Sequence, residues 1–66
     1  MIKLKARVHL VCSNWYQATV KHEIFNEFDG LWWNSATTPE VAVARLRETL
    51  AEFYPQIELD TEWNEV

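Results

Sequence analysis

Residues 2–12 read Ile-Lys-Leu-Lys-Ala-Arg-Val-His-Leu-Val-Cys, and the alternation in this stretch decides the fold. Every even position is apolar, whereas the odd positions from 3 to 9 carry Lys, Lys, Arg and His. Because successive side chains of a strand point to opposite faces, this pattern predicts a β-strand with one dry face and one wet face.

A second alternation over residues 16–24 predicts a second strand that forms a hairpin with the first. Matching the dry faces through a short loop at residues 13–15 sets Val8 opposite Val20. The same register sets Lys5 opposite Glu23, where the two form a cross-strand ion pair. A turn-rich cluster at 26–30 then ends in the only glycine of the chain, and residues 31–35 follow as a third strand.

The third strand contains two adjacent tryptophans, which must face opposite sides of a sheet. We expect Trp33, with Leu31, to point into the core, and Trp32, with Asn34, to lie on the wet face. An exposed Trp32 on an edge strand favours contact with a second chain through residues 31–35, either a partner protein or a homodimer. Alternatively, Trp32 is partly covered by neighbouring residues.

The stretch from Thr37 to Glu40 reads Thr-Thr-Pro-Glu and predicts the start of a helix. Either threonine can accept backbone N–H groups, Pro39 suits the first turn, and Thr37 and Glu40 have capping-box spacing. The helix is predicted over 39–54, and its apolar face consists of Val43, Leu46, Leu50, Phe53 and Tyr54.

Residues 57–63 alternate again, now with an acidic row, and predict a fourth strand. A right-handed crossover places this strand parallel to the first, where its acids meet Lys3, Lys5 and Arg7. Alternatively, the segment frays into an acidic tail. The whole chain, 1–66, is therefore predicted to be one α+β domain of order β-β-β-α-β, with one mainly antiparallel sheet (order 3-2-1-4) covered on one face by a single helix.

The composition of the chain argues against nonspecific nucleic-acid binding, a reactive cysteine and most classes of enzyme. The formal net charge of −4 arises entirely in the last ten residues, which argues against nonspecific nucleic-acid binding. The one cysteine, Cys12, has the dry parity and is expected to be packed, in a reducing compartment. His9 and His22 have opposite parities, so we expect their rings to point to opposite faces of the sheet. We expect no enzyme activity, metal, cofactor or membrane segment, and a cytoplasmic location.

Two surfaces remain as candidate binding sites. The first, for a protein partner, uses the exposed strand edge, the loop before it and the acidic row: Glu27, Asp29, Trp32, Asn34, Glu58, Asp60 and Glu62. The second, for nucleic acid, interleaves basic groups with an aromatic residue on the wet face: Lys3, Lys5, Arg7, Lys21 and Trp32. Neighbouring acids would weaken the field of the second surface.

The order of strand, strand, Asp-Gly turn, strand and Thr-x-x-Glu helix entry resembles the N-terminal domain of HicB-like antitoxins. Gly30 matches the glycine before strand three, Thr37 and Glu40 match the helix entry, and the apolar helix positions are matched by Ala42, Leu46 and Leu50. Pro39 and the double tryptophan depart from that pattern. The DNA-binding domain of many members is not among these 66 residues, so operator binding is not expected.

The resemblance implies a noncatalytic protein that oligomerises and masks a partner, such as a small basic RNA-cleaving toxin, to which an acidic surface is suited. A phage or mobile element could equally have adapted such a domain to inhibit a host protein.

Overall fold

The computed structural model describes residues 2–25 and 30–65 and contains four strands and one helix. The elements are β1 (Ile2–Cys12), β2 (Trp15–Lys21), β3 (Leu31–Ala36), α1 (Pro39–Phe53) and β4 (Ile57–Glu65). They form one sheet of order β3-β2-β1-β4, in which β1–β2 and β2–β3 are antiparallel and β1–β4 is parallel. The predicted α+β fold and strand order are confirmed.

The core lies between α1 and one face of the sheet. Ala6 and Val8 on β1 and Ala18 and Val20 on β2 are buried, as the even-position alternation predicts. The helix contributes its apolar side, with Leu46 fully buried. The remaining buried residues are Phe25, Ala36, Ala42, Val43, Leu50, Ile57 and Leu59.

The β1–β2 register differs from the predicted one by two residues. Val8 lies opposite Ala18, so the predicted pairing of Val8 with Val20 is wrong. The predicted pair of Lys5 with Glu23 is wrong as well, because β2 ends at Lys21 and Glu23 lies in a turn. The cause is a shorter connection than expected.

The hairpin turns at only two residues, Ser13 and Asn14, because Asn14 adopts a left-handed conformation with φ of 59°. Asparagine tolerates this region better than most residues. Cys12 therefore pairs with Trp15, and the register shifts between Leu10 and Cys12, as in a β-bulge.

The tip of this hairpin projects beyond the rest of the sheet. Toward the hairpin tip, the pairing of β2 with β3 ends at Tyr16, and the pairing of β1 with β4 ends at Val8. Cys12 is consequently exposed, and its predicted burial is wrong although its parity is that of the core face. Leu10, two residues earlier, is likewise 56% exposed.

The chain leaves β2 through a turn that inserts an unpredicted core residue. The N–H of Phe25 donates to the carbonyl of His22 (3.1 Å), and Phe25 is only 2% exposed. The N–H of His22 in turn donates to the carbonyl of Gly30 (2.9 Å), which aligns the start of β3. Gly30 has φ of +81°, a conformation that L side chains rarely adopt.

The helix is capped by Thr38, whose Oγ1 accepts the N–H of Val41 (3.2 Å). The predicted capping box of Thr37 and Glu40 is wrong, because Pro39 occupies the first helical position and the residue before it is the cap. The helix ends at Phe53, one residue earlier than predicted.

The fourth strand is formed over Ile57–Glu65, so the acidic segment is not a frayed tail. Lys3 lies opposite Glu58, as the charge argument predicts. An irregularity then advances β4 by two residues relative to β1, and Trp63 lies opposite Ala6, packed against the core.

Candidate binding surface

The faces of β3 are the reverse of those predicted. The register sets Trp32 opposite Val20 and Asn34 opposite Ala18, both of which are buried beneath the helix. Trp32 and Asn34 therefore belong to the helix side, and their predicted place on the wet face is wrong. The N–H of the Asn34 amide donates to Thr49 Oγ1 on α1 (3.0 Å). The strand's own apolar run could not decide between these faces, because Leu31, Trp32 and Trp33 are all apolar.

Trp32 belongs to an aromatic cluster at the end of α1. Its ring centroid lies 5.3 Å from Tyr54 and 6.0 Å from each of Phe25 and Phe53. Phe25 also packs edge-on against Tyr54 at 5.0 Å. Trp32 Nε1 is buried and has no acceptor among the described residues. Trp32 thus packs against the core and is partly buried.

Trp33 instead lies on the side of the sheet away from the helix, here called the open face, and is 46% exposed. Thr19 lies opposite Trp33, and Arg7 lies opposite Thr19, so the three form a row across β3, β2 and β1. Beside this row is a shallow depression lined by Arg7, His9, Gln17, Thr19 and Leu31.

The open face also holds the four basic residues that the sequence predicts to share a surface. Lys3, Lys5 and Arg7 occupy the odd positions of β1, and Lys21 ends β2 opposite Leu31; all four side chains are exposed. The predicted aromatic member of this group, Trp32, is replaced by Trp33.

Two acids of β4 lie beside the Lys3 and Lys5 end of this basic surface, and Glu65 lies at the other end, opposite Val8 and near His9. Glu58 lies opposite Lys3, and Asp60 lies near Lys3 and Lys5. The N–H of Glu62 donates to Asp60 Oδ1 (3.1 Å), and this bond, with the two lysine charges, lowers the pKa of Asp60 against a smaller desolvation effect.

The β4 irregularity sets Arg7 opposite Asn64, so the predicted cross-strand pairing of Arg7 with an acid of β4 is wrong. Glu62 is exposed in the irregular segment. Of the remaining residues predicted for a protein partner, Glu27 and Asp29 lie outside the described residues. Among the described members of that set, Trp32 and Asn34 lie on the helix side and Glu58 lies opposite Lys3 of the open face, so these residues do not share one face of the sheet.

The edge of β3 is a second candidate surface. The bond from His22 N–H to Gly30, continued along the antiparallel register, directs the backbone groups of Leu31, Trp33 and Ser35 away from β2. Arg45 on α1 donates to the Ser35 carbonyl (3.1 Å). The strand sequence, Leu-Trp-Trp-Asn-Ser-Ala, contains no charge. We call Leu31, Trp33 and Ser35 the β3 edge.

The edge of β4 is better protected. Arg47 on α1 donates to the carbonyl of Asp60 (3.2 Å), and the register irregularity interrupts the strand at the same place. Charged side chains occur at Glu58, Asp60, Glu62 and Glu65. Bulges and charges are the devices by which natural sheets prevent edge pairing.

The two histidines do not form a pair. His9 lines the depression on the open face. His22 lies in the turn after β2, where its Nδ1 accepts the N–H of Ile24 (3.1 Å), which places the proton of the neutral ring on Nε2. Among residues 2–25 and 30–65, no group of three or more His, Cys, Asp or Glu side chains is arranged to hold a metal ion.

Comparison of the chain with protein-family models, with curated proteins and with solved structures finds no match. Within the described part of the chain, α1 is neither long nor apolar enough to span a membrane.

Proposed function

We propose that this chain is a noncatalytic protein-binding module that docks its partner along the β3 edge. The observation that supports the proposal is an uncharged edge strand whose outward backbone groups, among the residues that the structure describes, accept a bond from α1 at Ser35 alone. Such a strand offers hydrogen bonds to an extended segment of another chain.

Exposed apolar side chains beside this edge would add to the binding energy. Trp33 projects from the edge strand and is 46% exposed, and Phe53, which contacts Trp32, is 60% exposed. Tryptophan is among the residues most enriched at the centres of protein interfaces.

Two carboxylates near the edge, against the one guanidinium of Arg45 at Ser35, suit a basic partner. Thr49 contacts β3 through Asn34, and Glu52 lies about one turn later on the same side of α1. Glu48 and Glu52 are both exposed. A small basic protein, as the resemblance to HicB-like antitoxins implies, would meet these carboxylates while its strand extends the sheet. An inhibitory, antitoxin-like role in the cytoplasm forms part of this proposal.

The experiment compares capture of a partner by three baits after nuclease treatment: the wild-type chain, Phe53→Lys and Val11→Lys. Phe53 lies beside the β3 edge, whereas Val11 lies at the hairpin tip and is similarly exposed, at 53%. We expect one basic protein to bind the wild type and Val11→Lys, and to bind Phe53→Lys about tenfold or more weakly when the purified pair is titrated. Equal affinity for both variants would contradict the proposal.

A second copy of the chain would occupy the same edge, as the predicted homodimer requires. Sedimentation velocity over a concentration series tests this possibility. Dimer formation that weakens in Phe53→Lys and Trp33→Lys, but not in Val11→Lys, would assign the edge to self-association, whereas a monomer at all concentrations leaves the edge to a foreign partner.

A further inference from the structure

We infer that the open face binds single-stranded nucleic acid, with a base stacked on Trp33 and phosphates held by Arg7 and Lys21. This inference is separate from the proposed function although Trp33 belongs to both surfaces, because it uses the Trp33 indole with Arg7 and Lys21 on the open face, whereas the proposed function uses the outward backbone groups of β3 and Phe53. It depends on the reversal of β3, which brings an exposed indole onto the face that carries the basic residues.

The spacing of the groups fits this ligand. Trp33 and Arg7 lie in one row with Thr19 between them, and two strand spacings separate their backbones by about 10 Å. Lys21 follows Thr19 by two residues on the same strand, and thus on the same face. A base on the indole therefore leaves its flanking phosphates within reach of both cations.

Polar groups beside the row of Arg7, Thr19 and Trp33 can meet base edges, within a depression whose lining is mainly apolar. Gln17, Thr19 and His9 line the depression together with Arg7 and Leu31. The Thr19 hydroxyl is turned toward the Arg7 carbonyl, 3.4 Å away, and its oxygen can still accept a hydrogen bond. Amide, hydroxyl and imidazole groups provide the donors and acceptors that unpaired bases require.

The charge distribution favours an anionic ligand at this end of the face. Glu58 and Asp60 lie beside Lys3 and Lys5, whereas Arg7 lies opposite Asn64 and Lys21 opposite Leu31. Glu65 lies opposite Val8, a position of the core face. The exposed carboxylates of α1 belong to the opposite side of the sheet. The net charge of the whole chain therefore does not describe the field above Trp33.

A single strand is favoured over a duplex because stacking on an exposed aromatic side chain needs a base with a free face. An acidic protein segment would pair with Arg7 and Lys21 but would gain less from the flat indole of Trp33 and from the polar side chains of the depression.

The test measures fluorescence anisotropy of labelled oligo(dT) and oligo(U) of about twelve nucleotides, which is within the usual site size of such surfaces. We expect single strands to bind more tightly than the matched duplex. Affinity should fall with salt with a log–log slope of roughly −1.4 for two phosphate contacts.

Matched variants identify the surface. Trp33→Ala should weaken binding about tenfold or more, Trp33→Phe should retain most of it, and Trp15→Ala, at an exposed tryptophan of the hairpin tip, should leave it unchanged. Arg7→Ala should reduce the salt slope by about 0.7.

No binding of either oligonucleotide at low salt would overturn the inference, as would equal losses in Trp33→Ala and Trp15→Ala. Binding of an oligoglutamate peptide with the same dependence on Trp33, and tighter than that of the oligonucleotides, would assign the face to an acidic protein and also overturn it. Phe53→Lys should not change oligonucleotide affinity, and Arg7→Ala should not change partner capture, so the two proposals can fail separately.

Discussion

Gly30 is the residue at which a single methyl group should matter most to the turn before β3. A Cβ built at this position would lie 2.9 Å from the carbonyl oxygen of His22, and φ is +81°. Gly30→Ala should lower the free energy of unfolding by about 1–3 kcal/mol, measured by urea denaturation.

Asn14 provides the control for this prediction because it also has positive φ, at 59°, but lies in the exposed hairpin turn. Asn14→Gly should change stability by less than about 0.5 kcal/mol, since glycine adopts this conformation without strain. If Gly30→Ala is as stable as Asn14→Gly, the described turn is incorrect.

Asp60 should make stability depend on acid pH. The N–H of Glu62, together with the charges of Lys3 and Lys5, lowers the pKa of Asp60 below its ordinary value of 3.8. Because the folded pKa is the lower one, the charged carboxylate stabilises the fold above that ordinary value, and the contribution is lost as pH falls through the folded pKa.

Carboxyl chemical shifts in an NMR titration measure this effect directly. Lys3→Ala should raise the pKa of Asp60 toward 3.8, whereas Lys21→Ala, whose side chain is not among the causes of the shift, should leave it unchanged. An Asp60 pKa at or above 3.8 in the wild type would refute the arrangement.

Burial of individual residues could be predicted only in part, as Cys12 and Phe25 illustrate. Cys12 has the correct parity, but alternation carries no information on how far the helix and neighbouring strands extend. Phe25 has the parity of the wet face, and it reaches the core only because the chain turns at His22. Its bulk, next to Ile24, was the one available signal.

At the scale of elements, the helix start offers a clean test of which threonine caps α1. Thr38 Oγ1 accepts the N–H of Val41, so Thr38→Ala should cost about 1 kcal/mol of unfolding free energy. Thr37→Ala should be nearly neutral. Comparable losses in urea denaturation of both variants would indicate a capping arrangement shared between the two residues.

The element pattern of this chain could be predicted from sequence better than the faces of its elements. The β1 faces are unambiguous because four basic or histidine side chains alternate with apolar ones. In β3, by contrast, three apolar residues occur in succession, and their orientation follows from the β2 register across a connection that also contains the Phe25 turn. For this reason Trp33 lies on the open face at the place where the sequence predicts Trp32.

At the scale of the molecule, position relative to the helix should determine the importance of two leucines that share the core-face parity. Leu46 is fully buried and Leu10 is 56% exposed. Leu46→Ala should cost about 2–5 kcal/mol, whereas Leu10→Ala should cost less than about 1 kcal/mol.

The first change is severe for a chain of 66 residues, because typical stability of about 0.05–0.15 kcal/mol per residue gives a total of only about 3–10 kcal/mol. Thermal unfolding monitored by circular dichroism distinguishes the two variants. Similar melting temperatures for both would show that the helix does not cover the sheet as described.

Arg45 and Arg47, two residues apart on α1, donate to carbonyls of β3 and β4, the two outer strands of the sheet. The edges of these two strands differ in how open they are to a further strand. Growth of a filament requires each molecule to offer two complementary adhesive ends. Of the two edges described, the β4 edge is interrupted and acidic, and the β3 edge is the one open to a further strand. We therefore expect assembly through this sheet to stop at a pair of chains and not to continue as a fibre.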